Sequence, residues 1–182
     1  MRLALPAAAL VLLAGCATPP PPPPAAPAPA AGTVAHALAN IAGASGSLVS
    51  GRLLLDAMGQ GVHVHGELGG LAPNSTHGFH IHEAGDFSAA DASSAGGHYN
   101  PAGSAHGSPT AAAHHAGDLD NIVADANGVA RVNAHVGGVT LGGGNSILGR
   151  ALVVHAAPDD YTSQPAGNSG ARIGCGVIVA QP

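Results

Sequence analysis

Glycine is spread through this chain too densely for long helices: 28 of 182 residues, each costing about 1 kcal/mol against alanine in a helix interior. What lies between the glycines is short, apolar and often alternating. Val62-His63-Val64-His65 puts valine on one side and histidine on the other, which is the period of a half-buried strand. Similar pieces occur at 34–41, 47–56, 77–83, 122–124, 129–136, 151–155 and 174–179. Asn127-Gly128, between two of them, reads as a hairpin turn. Eight short strands with irregular connections predict an all-β sandwich or barrel. Two connections are long, 84 to about 118 and 156 to about 172, and loops of that length in a compact domain usually carry function or stay disordered. With only Phe79, Phe87, Tyr99 and Tyr161 as aromatics and no Trp, the core has to be built from Val, Ile, Leu and Ala, which a domain of about 150 residues can do.

The first thirty-odd residues are of another kind. Arg2 precedes an apolar run from Leu3 to Leu13, too short to span a bilayer, which takes about 20 apolar residues, and shaped like a secretory signal. It ends in Leu13-Ala14-Gly15-Cys16, which resembles the bacterial lipobox, in which the cysteine thiol takes a diacylglyceryl group and the signal is cut just before it. An ordinary signal peptide with a cysteine near its cleavage site is the plainer alternative. Residues 19–24 are all proline and an Ala/Pro tail follows. Proline fixes φ and donates no amide hydrogen, so this stretch predicts a semi-rigid spacer extending about 3 Å per residue. The expected organisation is a lipoprotein signal over 1–15, lipidated Cys16 with its linker over 16–32, and one domain over 33–182. The expected location is the cell envelope, anchored to a membrane. Ala17 after the lipid site, rather than Asp, points to an outer membrane with the domain facing the periplasm.

Lysine is absent. Without Arg2, four Arg face ten acidic residues, a net charge of −6 with His neutral, so there is no basic face for nucleic acid. Export favours disulfides, yet Cys16 and Cys175 are the only cysteines. If Cys16 carries lipid, Cys175 has no partner within the chain.

Seven of the twelve histidines fall between His77 and His115. His80 and His82, two apart on a strand, project from one face; His98, His106, His115 and Asp118 follow on the long loop. Imidazole suits zinc and copper alike, and a carboxylate can complete a tetrahedral zinc site. Spacing alone leaves open a blander reading, in which His is polar filler in a Lys-free sequence or buffers metal loosely.

The strings HGFHIHEAGD, SAGGHYNP, AHGSP, HAGDLDN, GRALVVHA and GNSGARIGCGV, in that order, resemble the Cu,Zn superoxide dismutase family over about residues 34–180. The resemblance implies a flattened eight-stranded Greek-key β-barrel with two long functional loops, and copper and zinc as cofactors. It implies conversion of superoxide to dioxygen and hydrogen peroxide by alternation of copper between two oxidation states. His80, His82 and His155 match copper ligands, His98 the imidazole shared by copper and zinc, and His106, His115 and Asp118 the remaining zinc ligands. Asp159 matches the carboxylate linking His80 to His106, Arg172 the arginine beside the open copper face, and His77 a buried structural histidine. His98 and Arg172 are the expected catalytic residues. A monomer and a homodimer are both compatible with the family. A non-catalytic copper- and zinc-binding envelope lipoprotein of the same fold is the alternative, although no ligand position has been lost.

Among the other histidines, His63 and His65 form an H-x-H pair that reads as a solvated strand face, because no third ligand follows nearby. His36 and His135 read as exposed strand positions, and His114 as a neighbour of His115 outside the ligand pattern. The family ties its long loop to the barrel by a disulfide. Cys175 matches the barrel half, but the loop half is missing, with Phe87 or Ala92 at the corresponding place. The loop is therefore expected to lean on metal for its order.

Overall fold

A computed structural model describes residues 34–181. The signal-like segment, Cys16 and the proline-rich linker lie outside the described residues. Nine strand segments appear among those described: β1 (His36–Gly43), β2 (Ser50–Met58), β3 (Gly61–Gly69), β4 (Thr76–His77), β5 (Phe79–His82), β6 (Ile122–Val123), β7 (Ala130–Gly137), β8 (Ala151–His155) and β9 (Arg172–Ala180). The strand expected over 77–83 is split at Gly78, so one expected piece becomes β4 and β5. Among the described residues the only helical element is a 3-10 turn at Ser93–Ala95 inside the first long loop.

All pairings between these strands are antiparallel. Seven strands form one sheet in the order β5-β8-β9-β1-β2-β3-β7, and β4 pairs with β6. The small ribbon closes the gap between the sheet's ends, since β4 runs on into β5 and Ala124, just after β6, bridges Ala130 of β7. The predicted turn joins β6 to β7, with Gly128 at φ 75°, a left-handed conformation that glycine adopts without a Cβ penalty.

Period-two alternation fills the interior. Leu53 and Leu55 of β2, Val62, Val64 and Leu68 of β3, Phe79 and Ile81 of β5, and Leu152 and Val154 of β8 are fully buried in one apolar cluster. Phe79 is the largest fully buried side chain. Completely burying such side chains stabilises by about 1.5–3 kcal/mol each relative to leaving them in water.

Strand β8 is buried on both faces. Its second face, Ala151 and Val153, packs with Ala44, Ala92, Ala95 and Cys175 beneath the first long loop. The loop thus lies against the outer side of β8 and β9, and its fully buried contacts are Ala92 and Ala95, with Phe87 only half-buried at the edge. Among the described residues Cys175 is a free buried thiol, pushed up to about 11 by burial, and so a small apolar filler rather than a reactive group. The loop is pinned by hydrogen bonds instead: the Arg172 guanidinium donates to the carbonyls of Ala92 and Gly96.

Candidate metal centre

The strand periodicity that buries Phe79 and Ile81 turns His80 and His82 to the outer side of β5. On the neighbouring β8, His155 shares the face of Ala151 and Val153, after a register irregularity between Val154 and His155. The long loop returns along the free edge of β5. The Ile81 amide donates to Gly117 O, the Tyr99 amide to Ile81 O and the Gly117 amide to Tyr99 O, at 2.7–2.9 Å. These backbone bonds set His98 beside His82 and Asp118 beside His80. Gly117 is required there, because a Cβ would run into Ile81 O.

Two groups of side chains converge. His80, His82, His98 and His155 form one; His98, His106, His115 and Asp118 form the other; all are buried and His98 belongs to both. Every ligand position expected from the sequence is therefore in one of two adjoining clusters.

The ring tautomers show what these clusters suit. His82 Nδ1 donates to Gly96 O at 3.0 Å and His155 Nδ1 donates to Gly170 O at 3.1 Å. Each Nε2 is then a lone pair, and the two Nε2 atoms face one another at 3.3 Å. A proton does not sit between them, because burial holds His155 down to about 3 and His82 well below its usual value. Asp159 fixes two more rings. Its Oδ2 accepts from His80 Nε2 at 2.8 Å and its Oδ1 from His106 Nε2 at 3.0 Å, leaving Nδ1 of both rings as lone pairs. Those two atoms and His98 Nε2 are buried without any hydrogen-bond partner. Leaving a buried polar atom unpaired costs about 1–3 kcal/mol, so three together imply a partner other than hydrogen. Desolvation also holds His80 down to about 4, so it too stays neutral.

The second cluster has the same character. Asp118 Oδ2 accepts from the amides of His115 at 2.8 Å and Gly107 at 3.1 Å, which directs Oδ1 inward. There it meets Nδ1 of His98 at 2.8 Å, His106 at 3.1 Å and His115 at 3.2 Å. Four donors about 2.0 Å from a tetrahedral zinc would be separated by about 3.3 Å. Burial opposes the charge of Asp118, yet hydrogen bonds from His98 and from the two amides keep it well below the ordinary carboxylate range. The donor sets, three or four imidazoles on one side and three imidazoles with a carboxylate on the other, fit copper and zinc respectively.

Such a pair of clusters sharing one imidazole agrees with the comparisons to known proteins. Residues 49–178, well over half of the chain, match the family described as copper/zinc superoxide dismutase (SODC). This chain belongs to the copper/zinc superoxide dismutase family. It is 46% identical over 123 residues to the copper–zinc superoxide dismutase of Paramecium bursaria Chlorella virus 1, over 64% of this chain and 65% of that one. It is 47% identical over 125 residues to superoxide dismutase 3 of Arabidopsis thaliana, over 65% of this chain and 75% of that one. The chain thus spans just under two thirds of the viral relative's length. The crystal structure of the clock protein EA4 superposes with a TM-score of 0.74 at 36% identity, covering 82% of this chain and 97% of that one.

Several residues of this superoxide dismutase-family site have roles that the sequence alone does not reveal, although Asn121, Arg150 and Gly167 stand inside the family-like strings. Gln164 clamps the His106 backbone from both sides, accepting its amide and donating to its carbonyl at 2.9 Å. Asn121 does the same for Asp159. Gly167, at φ 63°, leaves the space that Asp159 Oδ1 fills. Arg150 lies over the Tyr99 ring, 3.7 Å from its centroid, and donates to Glu83 O at 2.7 Å, tying together the segments that carry His98 and His82. Such second-layer partners are ordinary polar residues whose meaning appears only once the loops are folded. His77, as expected, is buried; its ring lies between Ser75 Oγ at 2.6 Å and the His155 carbonyl at 2.7 Å.

Proposed function

We propose that this protein is a superoxide dismutase that converts superoxide to dioxygen and hydrogen peroxide. The observation that carries the proposal is His98, whose two ring nitrogens open onto two different donor clusters. His80, His82, His98 and His155 would hold copper, and His98, His106, His115 and Asp118 would hold zinc. Copper in that place supplies one-electron oxidation and reduction, which zinc does not.

The chain's own groups account for the rest. Asp159 holds His80 and His106 in the same tautomer, Nε2–H towards the carboxylate and Nδ1 free, so their positions are coupled through one residue. Arg172, half-buried and braced by two carbonyls, places a fixed positive charge close enough to depress both His82 and His155. A planar, always-charged guanidinium suits a small anion such as superoxide. His98 Nε2 is the ring atom without a protein partner, and is placed to carry a proton towards the reduced product.

The segment outside the described residues supports a location in the cell envelope. The lipobox-like Leu13-Ala14-Gly15-Cys16, followed by a proline spacer, is read as a lipid anchor that holds the domain off a membrane, on its outer, periplasmic side. Mass spectrometry of the mature N-terminus tests this: a diacylglyceryl Cys16 is expected, and an intact Met1 without lipid removes the anchor.

Stopped-flow decay of superoxide tests the activity. The metal-loaded protein should accelerate decay in proportion to its copper content. Arg172→Ala should lower the rate several-fold and flatten its dependence on salt. Bound copper and zinc with no acceleration of decay would refute the proposal.

A further inference from the structure

The outer face of β1, β2, β3 and β7 carries a second group of imidazoles around a carboxylate, remote in sequence from the metal centre. Strand register builds it. His36 pairs across with Asp56, Asp56 with His63, and His63 with His135, so four polar residues form one row over four strands. His65 lies on the same face of β3 as His63, with the two rings stacked at 5.4 Å. The Asp56 carboxylate joins two of these rings, Oδ1 to His36 Nδ1 at 2.7 Å and Oδ2 to His65 Nε2 at 2.9 Å. The H-x-H pair at 63 and 65 therefore does have further donors close by, from β1 and β2 rather than from its own segment. The face is solvated, as expected, and these donors lie beside it.

Three features suit this group to a metal ion. Its donors are imidazole and carboxylate, the set that borderline divalent ions prefer. The carboxylate is ionised at neutral pH, held below its ordinary value mainly by hydrogen bonds from His36 and His65. The side chains are at least a third exposed (His36 63%, His65 38%, Asp56 35%), so rings can turn to close round an ion and release the hydrogen-bonding proton to water. Rotation is needed, because the two rings bind opposite oxygens of Asp56.

We propose that His36, Asp56 and His65, with His63 beside them, form a surface site for one divalent copper or zinc ion, separate from the buried pair. Copper(II) binds more tightly than zinc there, following the general order for divalent ions at nitrogen and oxygen donors. The site is open to solvent and lacks a rigid cage, so it exchanges its ion readily.

The test uses the full chain with both buried sites already filled, as established by metal analysis. Copper(II) is then added in equilibrium dialysis against glycine as a weak competitor. One further copper per chain is expected, with a tetragonal paramagnetic resonance signal distinct from that of the buried copper. His36→Asn combined with His65→Asn should weaken that third copper at least about tenfold, while His114→Ala should leave it in place. Absence of a third copper, or a third copper equally tight in the double variant, overturns the proposal. These side chains project into solvent, so the variant is expected to fold. A melting temperature within about 2 °C of the parent, with full buried-metal content, confirms that the comparison is valid.

Discussion

The two His–Asp groups of this molecule use the same chemistry and differ in what surrounds them. In both, one carboxylate joins imidazoles by hydrogen bonds of 2.7–3.0 Å: Asp159 between His80 and His106, and Asp56 between His36 and His65. Around Asp159 every side chain is buried, and Nδ1 of both rings lacks a hydrogen-bond partner. Around Asp56 the rings are open to solvent, which can satisfy what the protein does not. Burial is therefore what turns an imidazole–carboxylate pair into a preorganised donor set. It keeps the rings neutral and the lone pairs aimed, and makes the empty arrangement costly.

The largest expected effect comes from stripping the metals from the buried centre. Structural zinc sites contribute on the order of 10 kcal/mol of folding free energy, and about 1 kcal/mol moves the melting temperature of a domain this size by about 2–4 °C. Calorimetry should show the metal-free form melting at least about 15 °C below the loaded one; equal melting temperatures would sink the claim that metal organises the loop. Stripping metal from the outer face should shift melting by no more than about 2 °C.

Next in size is the carboxylate swap. Asp159→Asn should reduce retention of the buried metals about 10- to 100-fold against a chelator, since it loosens one ring of each cluster. Asp56→Asn should not change that retention. If both variants lose buried metal equally, the two groups are coupled and the contrast fails.

A smaller effect is expected where the loop meets the barrel. Ala92 is buried in the same small cluster as Cys175. Ala92→Cys should form a disulfide with Cys175, detectable by thiol titration, and raise the melting temperature of the metal-free form by about 5–10 °C, from the 2–4 kcal/mol that such cross-links typically contribute. A cysteine pair that stays reduced under oxidising conditions would show that the loop lies further from β9.

A last test is the pH response of the metal-free protein. Burial holds His80 at about 4 and His155 at about 3, against 6.5 in an unfolded chain. Between pH 6.5 and about 4 the unfolded chain binds more protons, so stability falls as pH falls through that window. Asp56 has a lowered value, and its contribution is present above 3.8 and lost only at lower pH. Melting curves should therefore fall from pH 6.5 to 4 in the parent and follow the same course, within about 2 °C, in Asp56→Asn. A metal-free protein whose melting is flat over that range would contradict the buried, neutral state of the rings.

Much of this was legible in the residues. Alternation located each main strand to within a few positions, because a strand's two faces see different solvents. The expected strand at 77–83 missed its break at Gly78, where the backbone is drawn away: the Gly78 amide donates to Ala157 and its carbonyl accepts from His155. Phe87 and Ala92 could not be separated by spacing; the 3-10 turn after Ala92 and the Arg172 hydrogen bond place Ala92 inside. The hydrogen bond between His65 and Asp56 of β2 was not foreseen, because register between strands is not written in any single segment.

The order of residues by itself determined the strand periodicity, the kinds of donor available and, through six ordered motifs, the family. Only the tertiary structure decided which nitrogens face each other, which atoms are left without hydrogen-bond partners, and that Asn121, Gln164 and Gly167 shape the surroundings of Asp159 and His106. The reason is physical. A side chain's type sets what it can donate or accept, but its tautomer and its value as a ligand depend on neighbours that loop closure brings from far along the chain, and on the water that this closure removes.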